Sequence, residues 1–230
     1  MEEVNQIIGR LSQSTAEECA KNMGICKYCG AETEHNQNFC SVKHQKYYSR
    51  TTNIQKYLKS CGCPERYLKA SFKAYKGKAD LSSVKRITSG ICYLHGGTGA
   101  GKTYIAVAYL AYMSDKTLLK GRFINSTRLF IELRQSISRG DEEVKLKEFT
   151  SNNILVIDDI GTEKLSDYTL QSWYYIINER YNNLLPTMLT SNLSLRVLAE
   201  TYGSIGDRIA SRISSGLVVN IGDYDYRKVK

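Results

Sequence analysis

The sequence predicts an α/β fold: a mainly parallel sheet covered by helices on both faces, preceded by a small separate module. Three observations carry this expectation. From about residue 88 onward, short apolar runs of strand length alternate with longer stretches of helical period. A glycine-rich loop ending in Lys102-Thr103 joins one such run to one such helical stretch. Six of the seven cysteines fall between Cys19 and Cys63, before the alternation begins.

The strand-like runs are "ICYL", "RFIN", "NILVID", "PTMLTS" and "LVVNI". The helical stretches between them are Lys102–Met113, Thr127–Ser138, Asp167–Asn182 and Asp207–Ser214. "CGCPERY" marks the junction with the head, and its proline suits the first turn of a helix over "PERYLKASFKAY". "KGKADLSSVKR" reads as a polar, partly helical connection. The expected organisation is a head over residues 1–60, a basic lead-in over 61–87 and the α/β domain over 88–230. There is no internal repeat and no low-complexity tract.

The 230 residues are 42% hydrophobic and 24% charged, an ordinary globular balance. The longest apolar run, "YIAVAYLAYM", is too short to span a bilayer. "MEEVNQ" lacks the basic and apolar regions of a secretory signal. The expectation is a cytoplasmic, reducing location without membrane partners, where cysteines serve as thiols or metal ligands. Net charge is +9, and from Lys43 to Arg86 twelve Lys/Arg stand against only Glu65 and Asp80. Tyr47, Tyr48, Tyr57, Tyr67 and Tyr75 interleave them. That mixture suits phosphate backbones and stacked bases, and equally an acidic protein partner.

"GGTGAGKT" places Gly96, Gly97, Thr98, Gly99, Ala100, Gly101, Lys102 and Thr103 in the pattern of a phosphate-binding loop. Glycines let backbone amides turn inward around phosphate oxygens, and the following helix adds its positive dipole end. Lys102 is suited to neutralise the β/γ-phosphates and the Thr103 hydroxyl to ligate Mg²⁺. "NILVIDDIG" delivers Asp158 and Asp159 to the carboxyl end of a strand, where ligands of parallel sheets collect. Asp158 fits Mg²⁺ binding through water, and Asp159 fits orientation or deprotonation of an attacking water. "PTMLTSN" ends at Asn192, which can position that water if this strand lies between the other two. "GDRIASRI" puts Arg208 and Arg212 one helical turn apart, where they can form surface ion pairs or reach a neighbouring subunit's nucleotide.

In this order and spacing, "GGTGAGKT", "LVIDDIG", "LTSN", "GDRIASRI" and the closing "GDYDYR" resemble the AAA+ ATPases that load bacterial replicative helicases, the DnaC/DnaI-like group. Transposition helper ATPases of the IstB type are close relatives of that group. "PERYLKASF" resembles its lead-in segment, and the likeness covers about residues 64–230. The resemblance implies a P-loop NTPase of AAA+ type with a five-stranded parallel sheet and no C-terminal lid domain. It implies ATP and Mg²⁺ as ligands, hydrolysis that can be slow and switch-like, and homo-oligomers when ATP is bound. Lys102 and Thr103 fall on Walker A, Asp158 and Asp159 on Walker B, Asn192 on sensor 1, and Arg208 and Arg212 on the arginine-bearing motif, with Arg212 the favoured trans-acting finger. Arg227 matches a family position without an assigned role. The implied function is loading a helicase ring onto single-stranded DNA. The alternative is a transposition helper that coats DNA and recruits a transposase. A small-molecule kinase and a non-hydrolysing switch are further classes. Arg128, Phe130 and Arg134, in "STRLFIELRQSI", sit where such ATPases touch single-stranded DNA, although this apolar spacing also fits packing.

In the head, Cys26, Cys29, Cys40 and His44 have the spacing of a closed, structural Zn²⁺ site. "FCSVKH" resembles half of a small zinc ribbon with His in place of the last cysteine, which leaves His35, Cys61 and Cys63 as alternative fourth ligands. Some helicase loaders carry zinc-stabilised amino-terminal domains that grip the helicase, and the resemblance to that group implies the same role for the head. Cys19 fits no such pattern, and Cys92 reads as core.

Overall fold

The structure is a computed structural model that describes residues 24–26, 31–33, 41, 45, 53–117, 119–151 and 153–228. The chain divides into two compact units, residues 1–54 and 55–230.

In the first unit, β1 (Gly24–Ile25) and β2 (Glu32–Thr33) pair antiparallel with Gly24 opposite Thr33. The Cys26 N–H donates to Ala31 O at 2.8 Å, and Cys26 is buried. Cys29, Cys40, His44 and His35 lie outside the described residues, as does Cys19. Among the described residues no cluster of three or more metal-ligating side chains occurs.

The second unit opens with α1 (Ile54–Ser60). Cys61 and Cys63 follow and are buried within this unit, where Cys61 O accepts the N–H of Phe123 at 2.7 Å. The helix expected over 64–75 does not form. A 3-10 turn over Glu65–Tyr67 starts at Pro64, the backbone extends at Ser71, and a second turn covers Phe72–Ala74. Tertiary contacts win over local propensity: the Ser71 N–H donates to the Tyr104 hydroxyl at 3.2 Å, and Ser71 Oγ accepts from the Ala74 N–H. The lead-in therefore lies on the ATPase core, with Phe72 edge-on to Tyr112 at 5.7 Å. It ends in α2 (Ser82–Arg86).

Five parallel strands form the sheet: β3 (Ile91–His95), β4 (Gly121–Asn125), β5 (Ile154–Asp158), β6 (Thr187–Ser191) and β7 (Leu217–Asn220). Their spatial order is β4-β5-β6-β3-β7, so β6 separates β3 from β5. β3, β5 and β6 are apolar along most of their length because both faces are covered. Strand alternation sends Tyr93, Leu155, Ile157 and Leu189 to one face. There they meet α4 (Ser126–Arg139), α6 (Asp167–Asn182), α7 (Leu195–Tyr202) and α8 (Gly206–Ser214), through Phe130, Trp173, Leu198 and Ile209. α3 (Lys102–Thr117) packs on the other face, over β4, β5 and β6. α5 (Glu142–Ser151) and α7 had no counterpart among the expected helices; α7 starts at Ser194, whose hydroxyl accepts from the Val197 N–H. Among the described residues no helix is long and apolar enough to cross a membrane.

Candidate nucleotide site

Because β6 lies between β3 and β5, three strand ends converge at one edge of the sheet. β3 delivers the loop 96–101, β5 delivers Asp158 and Asp159, and β6 delivers Thr190 and Asn192. The loop turns through left-handed backbone at Gly99 (φ 80°) and Gly101 (φ 96°), which L side chains avoid. Thr103 stands in the first turn of α3.

Lys102 is buried at the start of α3, and its Nζ donates to Gly96 O and Gly97 O, both at 2.8 Å. The ammonium thus rests on its own loop, and a phosphate must draw it off these carbonyls. Burial lowers its pKa, while Asp159 and Asp158 pull the other way. Asp158 is buried and accepts the Thr103 hydroxyl at 3.0–3.1 Å and the Thr190 hydroxyl at 2.6 Å. Burial raises its pKa despite those two bonds. A hydroxyl and a buried carboxylate in direct contact, with no Lys or Arg ion pair to that carboxylate among the described residues, suit Mg²⁺, for which Thr103 and Asp158 would be the protein ligands.

Asp159 sits at φ 62°, an unusual conformation for a non-glycine residue. Its N–H donates to Thr190 Oγ1 at 2.9 Å, and its carbonyl accepts Ser126 Oγ and Thr162 Oγ1, both at 2.8 Å. This clamping aims the carboxyl toward Asn192, whose Nδ2 donates to Asp159 Oδ1 at 3.3 Å. The pair can hold a water between an acceptor and a donor, the requirement for in-line attack on a terminal phosphate. Thr190 was not legible as a site residue, since a threonine inside an apolar strand carries no signal of its own.

Also unforeseen is the closing segment, which runs along the phosphate loop. The Gly97 N–H donates to Gly222 O at 3.0 Å and the Tyr226 N–H to Gly99 O at 3.1 Å. A Cβ on Gly99 would meet Asp225 Oδ1 at 1.8 Å, so this glycine admits the tail as well as the turn.

The two arginines of α8 differ. Arg212, favoured from sequence as the trans-acting group, is held by its own chain. Its Nε donates to Asn178 Oδ1 at 2.8 Å and its Nη2 to the Tyr174 hydroxyl at 3.0 Å, with the guanidinium over the Tyr174 ring. Arg208, on the same helix, is exposed. Phe130 is not available to nucleic acid, because it is buried edge-on to Trp173 at 5.4 Å. Arg128 pairs with Glu132 at 3.1 Å on the exposed side of α4, where Arg134 is also exposed.

Comparisons with known proteins agree with this architecture. A family model described as IstB-like ATP binding protein matches residues 41–229. The solved structure of the DnaC helicase loader is 27% identical, with a TM-score of 0.58 over 70% of this chain and 100% of its own. That of DnaI is 26% identical, with a TM-score of 0.58 over 69% of this chain and 93% of its own. The chromosomal replication initiator DnaA of Neisseria meningitidis serogroup C is 26% identical over 130 residues, 56% of this chain and 24% of the relative, so the chain spans about a quarter of that curated protein. Motif order, sheet order and the family match all lead to one assignment: the chain belongs to the IstB-like ATP-binding proteins and carries an ATPase fold of the AAA+ type.

Proposed function

We propose that this protein hydrolyses ATP at a seam between identical subunits and uses the cycle to place a ring-shaped replicative helicase on single-stranded DNA. The observation that carries the reading is a divided site. Lys102, Thr103, Asp158, Asp159 and Asn192 assemble within one chain, while Arg208 stands exposed on α8. An exposed arginine, on a helix that is neither the phosphate loop's nor at the ends of β5 and β6, is suited to completing a neighbour's site. Likeness to the DnaC helicase loader along that chain's whole length supports the choice of client. Bound Mg²⁺ would supply charge neutralisation between the β- and γ-phosphates. Lys102 then binds phosphate, Asp159 and Asn192 orient water, and Arg208 of the adjoining subunit stabilises charge on the transferring group.

Arg208→Ala is expected to keep ATP binding and lose turnover by roughly a thousandfold. Adding Lys102→Ala subunits, which bind no nucleotide but retain Arg208, should recover part of that turnover. The client is tested by size-exclusion of the full chain with a hexameric replicative helicase, with and without ATP. ATP-dependent co-elution is expected, and its absence sinks the loader reading. The IstB-like match favours one alternative, a transposition helper. Under it the protein would coat duplex DNA with ATP and retain a transposase instead.

The head is proposed to hold zinc through Cys26, Cys29, Cys40 and His44. The buried Cys26 on a short hairpin supports this, and purified protein should carry about one Zn²⁺ per chain by atomic absorption. Zinc-free protein with a folded head would overturn it.

A further inference from the structure

Glu163, four residues beyond Asp159, is used by none of the chemistry above, yet it is 6% exposed. Its Oε2 accepts the N–H of Gly161 at 3.0 Å, inside the turn that follows the paired acids. Its Oε1 accepts the Trp173 indole N–H at 2.9 Å and the Tyr202 hydroxyl. Burial and the Glu163 carboxyl push the pKa of that hydroxyl far up, so it stays a donor.

The two ends of this junction lead to different halves of the site. On one side, Gly161 (φ 90°) belongs to the same turn as Asp159 (φ 62°). That turn is also held by the bonds to the Asp159 backbone given above and by Ile160, whose N–H donates to Thr190 O at 2.8 Å and whose carbonyl accepts Ser191 Oγ at 2.7 Å. On the other side, Tyr202 is the last residue of α7, and a single 3-10 turn (Gly203–Ile205) connects it to α8. Gly206 at the start of α8 lies so close to α7 that a Cβ there would stand 2.0 Å from Ala199 O. Helices in such contact shift together, so what fixes Tyr202 also fixes the origin of the helix carrying Arg208.

Resting on the divided-site reading, we propose that Glu163 is a positioning residue joining its two halves: it sets Asp159 for hydrolysis in its own subunit and sets the helix that offers Arg208 to the next. A buried carboxyl bonded to three donors is held in one geometry, with Oε2 on the turn and Oε1 on the helices. Misplacement of a water-orienting acid by a fraction of an ångström is enough to slow chemistry while leaving phosphate binding intact.

Two near-isosteric substitutions separate the halves. Glu163→Gln keeps an acceptor for Trp173 and Tyr202 but turns an amide N–H₂ toward the Gly161 N–H. Tyr202→Phe leaves the turn intact and frees the helix end. Affinity is read with a fluorescent ATP analogue and Mg²⁺, turnover at saturating ATP, and folding by thermal melting. Both variants should bind the analogue within about threefold of the parent protein. Turnover of Glu163→Gln should fall on the order of a hundredfold. Adding Lys102→Ala subunits should restore Tyr202→Phe, whose own acids are in place, and should not restore Glu163→Gln.

Parent-like turnover in Glu163→Gln would overturn the proposal. So would a parallel loss of affinity, turnover and melting temperature, which marks a role in folding alone. Rescue of both variants, or of neither, would remove the link between the halves. Mixing Arg208→Ala with Lys102→Ala tests the divided site separately. If that mixture stays inactive while Glu163→Gln still lowers turnover alone, the divided site and the link both fail and only the placement of Asp159 stands.

Discussion

Asp158→Asn is expected to abolish Mg²⁺-dependent ATP turnover, by on the order of a thousandfold or more, and at the same time to raise the melting temperature of the nucleotide-free protein at neutral pH. The two effects share one cause. Asp158 is buried, and burial raises its pKa above the ordinary 3.8 even though the Thr190 and Thr103 hydroxyls favour the ionised form. A carboxyl whose pKa is raised by folding favours the folded state below the unfolded value and loses that contribution as pH climbs through the folded value. At neutral pH the ionised group is therefore a cost in the folded protein, one that a cation bound with nucleotide, as proposed above, would offset. Asparagine keeps the hydroxyl partners and removes the charge. The gain in melting temperature should shrink on acidification toward the region where Asp158 itself protonates. Melting curves of both proteins across pH check this, and a neutral-pH melting temperature below that of the parent would refute the account.

The second large effect falls on stability. Arg180→Met should destabilise the ATPase unit by about 3–5 kcal/mol, read by denaturant unfolding. Arg180 is fully buried on α6. Its guanidinium donates to Phe149 O at 2.9 Å, Pro186 O at 2.9 Å and Thr187 Oγ1 at 2.7 Å among the described residues. Burial draws its pKa down to about 9. Methionine keeps most of the stem but removes the donors that tie Phe149 O of α5 to Pro186 O and Thr187 Oγ1 at the entrance to β6, the strand that carries Thr190. Arg180→Lys should recover only part of the loss, since a single ammonium cannot match a planar fork. An unfolding free energy within about 1 kcal/mol of the parent for Arg180→Met would show that water replaces the fork.

Parts of the site encoded in contiguous residues were legible beforehand. Gly96 to Thr103 specify their loop by themselves, because glycine at left-handed positions and a helix start are local matters. Asp158, Asp159 and Asn192 could be placed because each ends an apolar strand. The choice between Arg208 and Arg212 could not be made in the same way. Four residues apart, they share a helical stripe, and only the packing of α8 against Tyr174 and Asn178 decides which is held. For Phe130 the apolar spacing of its helix already favoured packing over contact with nucleic acid, and the structure buries it edge-on to Trp173.

By itself, then, the sequence settled the α/β class, the five strands and the end of the sheet at which the glycine loop and the strand-end acids meet, since strand period, glycine placement and strand-end acids are read along one stretch of chain. Tertiary structure alone decided that 64–75 packs as short turns on α3, that Thr190 shares Asp158, and that Glu163 joins the acid turn to α7. Those outcomes depend on which buried donor faces which acceptor across elements 30 or more residues apart, as with the 39 residues between Glu163 and Tyr202. Sequence period carries no record of such meetings, because the cost of leaving a polar group unpaired is incurred only once the core has closed around it.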